Sequence, residues 1–398
     1  MSRGPRNPVQ DLRGAARLVV VGSTAATDVV ESMHSTIAAG PVRRRSTGPI
    51  RSLVYRSVRG ITRLVGTGID RTLAPVERLV SETAPGVKRA AVIAAVNGVV
   101  GDHLVETGNP LAIEMRVCQN GEPLDLDAVA SGAAIPRPTG KLLVLVHGLC
   151  TNDRFWLRNG HDHGAALARD LGYTPVYLHY NTGRHISENG REFSTAMDQL
   201  VRAWPVPVDE ITLIGHSMGG LVARSACHHA EQSAGSQWRS RLTRLVCLGS
   251  PHHGAPLERG GNWLQVLAGI NRYTAPLAGM GKLRSAGITD LRYGAVLDSH
   301  WSQRDRFEPA ADDREPLALP AGVACYAVAA TLSPEGKTKP RGDGLVPVAS
   351  ALGHHRNPVL ALAFPADHQH VVTETGHLDL VCSTEVYDVL RDWLSAPA

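Results

Sequence analysis

Apolar positions in the first hundred residues recur at helical spacing. Val21, Ala25, Val29, Met33 and Ile37 fall four apart, on one slowly drifting helix face, until Gly40-Pro41 ends the run. Leu53, Val54, Val58, Ile61, Leu64 and Val65 repeat a three-and-four spacing, and Leu73, Val76 and Val80 do so more weakly. Beyond the Pro85-Gly86 break, the pattern predicts a longer helix over about Val87 to Val105. Residues 1–107 thus read as an amphipathic helical region. Its apolar faces must be covered, either by one another in a small bundle or by the rest of the molecule. Residues 108–140, rich in Pro and Gly, read as a linker with one short strand near Ile113–Val117.

From Lys141 the rhythm changes. Leu142–Val146 is a continuous apolar run, as a strand buried on both faces requires. Further strands are expected at Pro175–His179, Ile211–Ile214, Leu245–Leu248 and Gly322–Ala330, and helices at Phe193–Ala203, Met218–His229 and Glu385–Leu394. This alternation predicts an α/β fold over 141–398, a mostly parallel sheet with helices on both faces. An insertion at 255–317 interrupts it. There Trp263, Leu264, Leu267 and Ile270 share one helical face, Tyr273, Leu277 and Met280 follow, and Gly260, Gly261, Gly279 and Gly281 offer hinges. The insertion is expected to cap the domain, either as a lid with an apolar underside suited to an acyl chain or as an ordinary packed helical segment.

Composition narrows the class. An apolar fraction of 43% and a charged fraction of 20% allow a large core and exclude wholesale disorder. Charge is uneven: residues 1–100 hold 15 Arg and Lys against 6 Asp and Glu, in a chain of net charge +4. The excess includes Arg43-Arg44-Arg45, Arg51, Arg56, Arg59 and Arg63, with only Tyr55 as an interleaved aromatic. That scarcity argues against a nucleic-acid surface. It leaves a solvated basic face, or peripheral contact with an anionic membrane or lipid inclusion. The six cysteines (Cys118, Cys150, Cys227, Cys247, Cys325 and Cys382) are scattered, with no C-x-x-C spacing, and read as reduced, small apolar groups. Leu18–Val21 is too short for the apolar region of a signal peptide, and no apolar run approaches 18 residues. The expected setting is cytoplasmic, soluble or peripherally membrane-bound.

The sharpest chemical signal lies at Ile211-Thr212-Leu213-Ile214-Gly215-His216-Ser217-Met218-Gly219-Gly220. An apolar strand that stops at a serine between two glycines and continues as a helix is a nucleophile elbow. The turn strains the serine backbone, and side chains at Gly215 and Gly219 would collide with the passing chain. Ser217 is therefore the candidate nucleophile. In this architecture an acid and then a histidine follow it in the chain. His377, between the strand around Val371-Val372 and the last helix, is the candidate base, with His354, His355, His368 and His370 as rivals. Asp343, flanked by Gly342 and Gly344 after the penultimate strand, is the candidate orienting acid, ahead of Asp290, Asp312 and Asp313. An oxyanion needs backbone donors. These are expected from Met218, the residue after the nucleophile, and from Leu149 (less so Cys150) in the loop that follows Val146-His147-Gly148. His252-His253 and Asp367-His368-Gln369-His370 lack a complete metal-ligand set at a recognised spacing, and a serine triad needs neither metal nor cofactor.

Together, His147-Gly148-Leu149, Gly215-His216-Ser217-Met218-Gly219, Gly249-Ser250-Pro251-His252-His253-Gly254, Gly342-Asp343-Gly344-Leu345-Val346-Pro347 and Gly376-His377 resemble the lipase and esterase branch of the α/β-hydrolases. Within that branch they are most similar to GPI inositol-deacylase-like and bacterial triacylglycerol-lipase-like proteins. The resemblance covers 141–398 and implies hydrolysis of a carboxylic ester through an acyl-enzyme on Ser217, without a cofactor. It does not cover 1–140, and nothing here resembles the membrane spans of the eukaryotic enzymes. His147, Gly148 and His216, with Trp263, Leu264 and Leu267 of the cap, are the expected substrate contacts. The same triad serves acyl transfer to an alcohol. A catalytically idle binding or scaffold protein on a lipid surface is the third reading, and an unbroken triad argues against it.

Overall fold

A computed structural model describes residues 87–255, 284–302, 304–305, 312–336 and 342–396. The helical patterns expected before residue 87, the basic cluster with them, and the apolar face at 263–280 lie outside the described residues.

Helix α1 (Val87–Glu106) is followed by β1 (Arg116–Gln119), β2 (Glu122–Pro123), the short α2 (Leu126–Ala130) and β3 (Lys141–Val146). Then come α3 (His163–Leu171), β4 (Thr174–His179), α4 (Ile186–Ala203), β5 (Glu210–His216), α5 (Met218–Gln232) and β6 (Leu242–Leu248). After α6 (Ala286–Asp290) the chain forms β7 (Ala324–Ala330), α7 (Val348–Ala351), β8 (Gln369–Val372) and α8 (Thr384–Ser395). The strands form one sheet in the order β2-β1-β4-β3-β5-β6-β7-β8. All neighbours from β4 to β8 run parallel, whereas β1 is antiparallel to both β2 and β4.

Side chains of a strand alternate between its two faces, and the core divides accordingly. Leu142, Val144, Val146, Ile211, Leu213, Leu245 and Cys247 pack on one face with Phe193, Met197 and Leu200 of α4 and Leu221, Val222 and Ala226 of α5. Leu143, Leu145, Ile214, Val246, Leu248, Val328 and Ala330 pack on the other with Leu167 of α3 and Val386, Leu390 and Leu394 of α8. Continuous apolar strands thus mark a sheet covered on both sides. No helix among the described residues is long and apolar enough to cross a membrane.

The stretch 108–140 is not a free linker. Its strand starts three residues later than expected, at Arg116, and turns at Asn120-Gly121, where both residues have positive φ (54° and 77°). That is the hairpin signature of an Asn-Gly pair. Val117 and Cys118 are buried, and Arg116–Cys118 pair with Tyr177–His179, so this stretch closes the β4 edge of the sheet.

At the strand-to-helix turn between β5 and α5, backbone approaches backbone closely. A Cβ on Gly215 would stand 2.4 Å from the Gly220 nitrogen, and one on Gly219 would stand 2.2 Å from the Val146 carbonyl oxygen. Backbone cannot swing away as a side chain can. Gly215→Ala should therefore cost about 1–3 kcal/mol of stability, the usual price of overpacking. The change should be read as a lower denaturant midpoint at unchanged slope. An unaltered midpoint would show that helix and strand have room to separate.

Candidate active site

The carboxyl ends of β3, β5, β6 and β7 meet where the expected functional residues cluster. Ser217 stands between β5 and α5 with φ 55° and ψ −123°, outside the conformations a side-chain-bearing residue ordinarily adopts. Such backbone stores on the order of 1–3 kcal/mol and persists only because its surroundings hold it. Here the Ser217 N–H donates to the Leu248 carbonyl at 2.8 Å, and glycines at 215 and 219 let strand and helix close around the turn.

Asp343 follows β7 in a tight loop. Its Oδ1 accepts the backbone N–H groups of Leu345 (2.9 Å) and Val346 (2.7 Å), and its Oδ2 lies 2.7 Å from His377 Nδ1. The Asp343 carbonyl also accepts the His377 N–H at 3.1 Å, so backbone and ring of the histidine are anchored to one residue. Both side chains are buried, with relative exposures of 1% for Asp343 and 5% for His377. Burial by itself pushes the Asp343 carboxyl up. The imidazole beside it and the two backbone donors outweigh that and hold it below the usual carboxylate range.

His377 opens a single 3-10 turn, His377–Val381, and its ring packs on Gly249. A Cβ at Gly249 would stand 3.3 Å from His377 Nδ1 and 2.7 Å from Leu380 Cδ1. Ser217 and His377 therefore both lie against the Leu248–Gly249 step at the end of β6. Among the hydrogen bonds of the described residues, none joins the Ser217 hydroxyl to the His377 ring.

His216 links the two loops. Its Nε2–H donates to the His377 carbonyl at 3.0 Å, and the two rings stand 4.8 Å apart. Burial lowers the His216 pKa to about 3, so the ring is neutral and able to make that bond across the working range. His147 is equally enclosed. It stacks on Tyr180 at 4.4 Å, donates from Nδ1 to the Gly148 carbonyl at 3.0 Å, and has its own carbonyl held by the Tyr180 hydroxyl at 2.7 Å. Burial takes its pKa to about 3 as well. His147 and His216, expected as substrate contacts, are both buried, with 0% and 1% exposure. Their position beside the elbow was legible, but enclosure by neighbouring strands was not. Gly148 lies beside the serine: a Cβ built on it would stand 3.0 Å from Ser217 Cβ. Trp263, Leu264 and Leu267 lie outside the described residues.

Of the expected oxyanion donors, neither the Leu149 N–H nor the Met218 N–H meets an acceptor among the described residues. The Cys150 N–H does: it donates to the Thr182 hydroxyl at 3.1 Å, from a backbone with φ 59°. Thr182 belongs to the segment after β4, where no motif drew attention to it.

The rival residues have other partners. His368 Nδ1 meets the Cys325 carbonyl (3.1 Å), His370 meets Glu385 (2.9 Å), His355 lies 3.5 Å from Asp312, and His354 is exposed. Asp290 holds His185, Asp312 holds Arg314, and Asp313 holds Arg304. His252 faces Arg224, and His253 meets the Gly353 carbonyl. No group of three or more His, Cys, Asp or Glu among the described residues is placed to hold a metal ion.

Residues 167–314 match the family model described as the PGAP1-like alpha/beta domain, a span that contains Ser217 and ends before Asp343 and His377. No curated protein matches the sequence. Solved structures similar in fold include the mature lipase BlEst2 of Bacillus licheniformis, at 16% identity and a TM-score of 0.43 over 71% of this chain and 98% of that one. EstA of Clostridium botulinum is 15% identical with a TM-score of 0.39 over 69% and 90% of the two chains. The Staphylococcus hyicus lipase is 13% identical with a TM-score of 0.36 over 65% and 97%. By its mostly parallel sheet clothed with helices on both faces, the chain has an α/β-hydrolase-type fold, and residues 167–314 of it are similar to the PGAP1-like alpha/beta domain.

Proposed function

We propose that the chain hydrolyses carboxylic esters through an acyl-enzyme on Ser217, with His377 as general base and Asp343 as the acid that orients it. The observation that carries this reading is the buried 2.7 Å contact between Asp343 Oδ2 and His377 Nδ1, on a ring that shares the Leu248–Gly249 step with a strained serine. The anionic carboxylate keeps the proton on Nδ1, which leaves Nε2 with its lone pair for the serine proton. As Ser217 Oγ attacks the ester carbonyl carbon, its proton passes to Nε2 and the carbonyl oxygen becomes an oxyanion. The N–H groups of Leu149 and Met218, which meet no acceptor among the described residues, would receive that charge, each such donor being worth roughly 3 kcal/mol of transition-state stabilisation. Collapse expels the alcohol, which takes the proton from Nε2. Water then repeats the sequence on the acyl-enzyme and releases the acid. Hydroxyl–imidazole contacts are commonly long before substrate arrives and shorten in the complex, in keeping with the unformed Ser217–His377 bond. We assign residues 141–398 to the hydrolase unit, with the insertion at 255–317 as its cap over an acyl or lipid substrate.

The test is a fluorophosphonate probe followed by peptide mass spectrometry, alongside hydrolysis of p-nitrophenyl esters of increasing chain length. A single phosphonyl adduct on Ser217, with turnover of short esters, is the expected result. An adduct on another residue, or turnover that survives complete labelling of Ser217, would overturn the assignment.

A further inference from the structure

Helix α1 precedes the family-matched residues, yet it touches the loop that carries the proposed oxyanion donor. A Cβ on Gly98 would stand 2.2 Å from Cys150 Sγ, 2.9 Å from its Cα and 3.0 Å from its backbone nitrogen. The helix backbone therefore rests directly on the residue after Leu149. Three residues on, Gly101 faces Asn181, whose Nδ2 donates to the Gly101 carbonyl at 3.0 Å. Between these glycines the helix bends at Val100, with φ −137° and ψ 21°. On the near side of the bend the Gly98 carbonyl accepts the Ser285 hydroxyl at 2.6 Å. Asp102 Oδ2 accepts the Ala286 N–H at 2.9 Å, so α1 also holds the start of α6. Cys150 is thus gripped from two sides, by Gly98 of α1 and by Thr182 through its N–H. Apolar side chains surround it: Val92, Val96, Val99, Leu104, Leu111 and Ile288 pack in the same cluster as Cys150.

We propose that α1 is a positioning element of the ester-cleaving centre, and that Gly98 determines where the Leu149 N–H points by seating Cys150. The argument rests on the reading of Ser217 and Leu149 given above. An oxyanion donor acts through distance and aim, and a displacement of a few tenths of an ångström in the Gly148–Cys150 loop weakens it without touching the nucleophile or its base. The backbone atoms of Cys150 leave no room for a methyl group at 98, so the smallest enlargement moves that loop.

The experiment compares an oxygen ester with the corresponding thionoester in the full chain carrying Gly98→Ala. Thiocarbonyl sulfur accepts hydrogen bonds weakly, so the parent should prefer the oxygen ester, by an amount that measures the donors. In Gly98→Ala the kcat for the oxygen ester should fall about tenfold, with KM nearly unchanged and the preference for oxygen over sulfur reduced by a similar factor. Equal losses on both substrates would mean that α1 only stabilises the fold, and the proposal would fail. A parent that cleaves neither ester, or shows no preference, would instead sink the hydrolase or oxyanion reading itself. If Gly98→Ala does not fold, Cys150→Ala serves. It strips the thiol seated against Gly98 without adding bulk, and the oxygen-over-sulfur preference should fall several-fold. A preference kept at the parental value there would overturn the proposal equally.

Discussion

Replacing Ser217 with Ala should lower kcat on a short soluble ester by on the order of 10⁴ to 10⁶, because the two backbone donors and the binding site alone retain only a small residue of catalysis. The fold should survive, since alanine keeps the same backbone and leaves no large void. A second variant separates chemistry from strain. Ser217→Gly should be just as inactive, yet it relieves a conformation that costs a side-chain-bearing residue about 1–3 kcal/mol. It should therefore unfold at higher denaturant than Ser217→Ala, offset in part by the greater freedom glycine gains in the unfolded chain. Hydrolysis that persists within tenfold of the parent in either variant would remove Ser217 from the mechanism.

The second large effect is expected at Asp343→Asn. The amide would still fit between the Leu345 and Val346 nitrogens and His377, but it would face Nδ1 with either a donor or a neutral acceptor. A donating NH2 forces the proton onto Nε2, where it blocks transfer from Ser217. A loss of about 10³ to 10⁴ in kcat is expected, with KM little altered. A loss below tenfold would show that another group orients the imidazole. The same variant has a stability signature. The Asp343 carboxyl titrates lower in the folded chain than its ordinary value of 3.8. Its contribution to stability is therefore fully present above that value and is lost as pH falls below it, through the depressed folded value. Between those limits the unfolded chain binds the extra proton, so stability must rise with pH. Asp343→Asn lacks that linkage. Its denaturation midpoint should fall less steeply than the parent's on acidification below about pH 4, the ordinary carboxyl value. Parallel curves would mean that the carboxylate is no better held in the folded chain than in the unfolded one.

A long stretch of this architecture was readable from residue order because its driving forces are local. The strands at Leu142, Pro175, Ile211, Leu245 and Gly322 announce themselves as unbroken apolar runs, and each is found within a few residues of the expected place. The elbow was equally legible, since only glycine tolerates the approaches at 215 and 219. Boundaries drifted where tertiary contacts extend an element. α4 starts at Ile186 rather than Phe193, because Ile186 is buried in the core and its N–H is held by Asp290 across the fold. The stretch after Gly108 read as a linker because it is rich in Pro and Gly, although Asn120-Gly121 was a hairpin signal in plain view.

Sequence by itself determined the α/β alternation, the strained serine between its glycines, and the order in which an acid and a histidine follow it. Periodicity and steric exclusion act over a few neighbouring residues and so leave their mark in the string of letters. Only the tertiary structure decided which of five histidines meets Asp343, that His147 and His216 are enclosed, and that the Cys150 N–H goes to Thr182. It alone placed α1 against the Leu149–Cys150 loop. Those outcomes depend on distances between residues up to 161 positions apart, as from His216 to His377. Such separations are set by how the sheet packs and closes, and no local pattern records them.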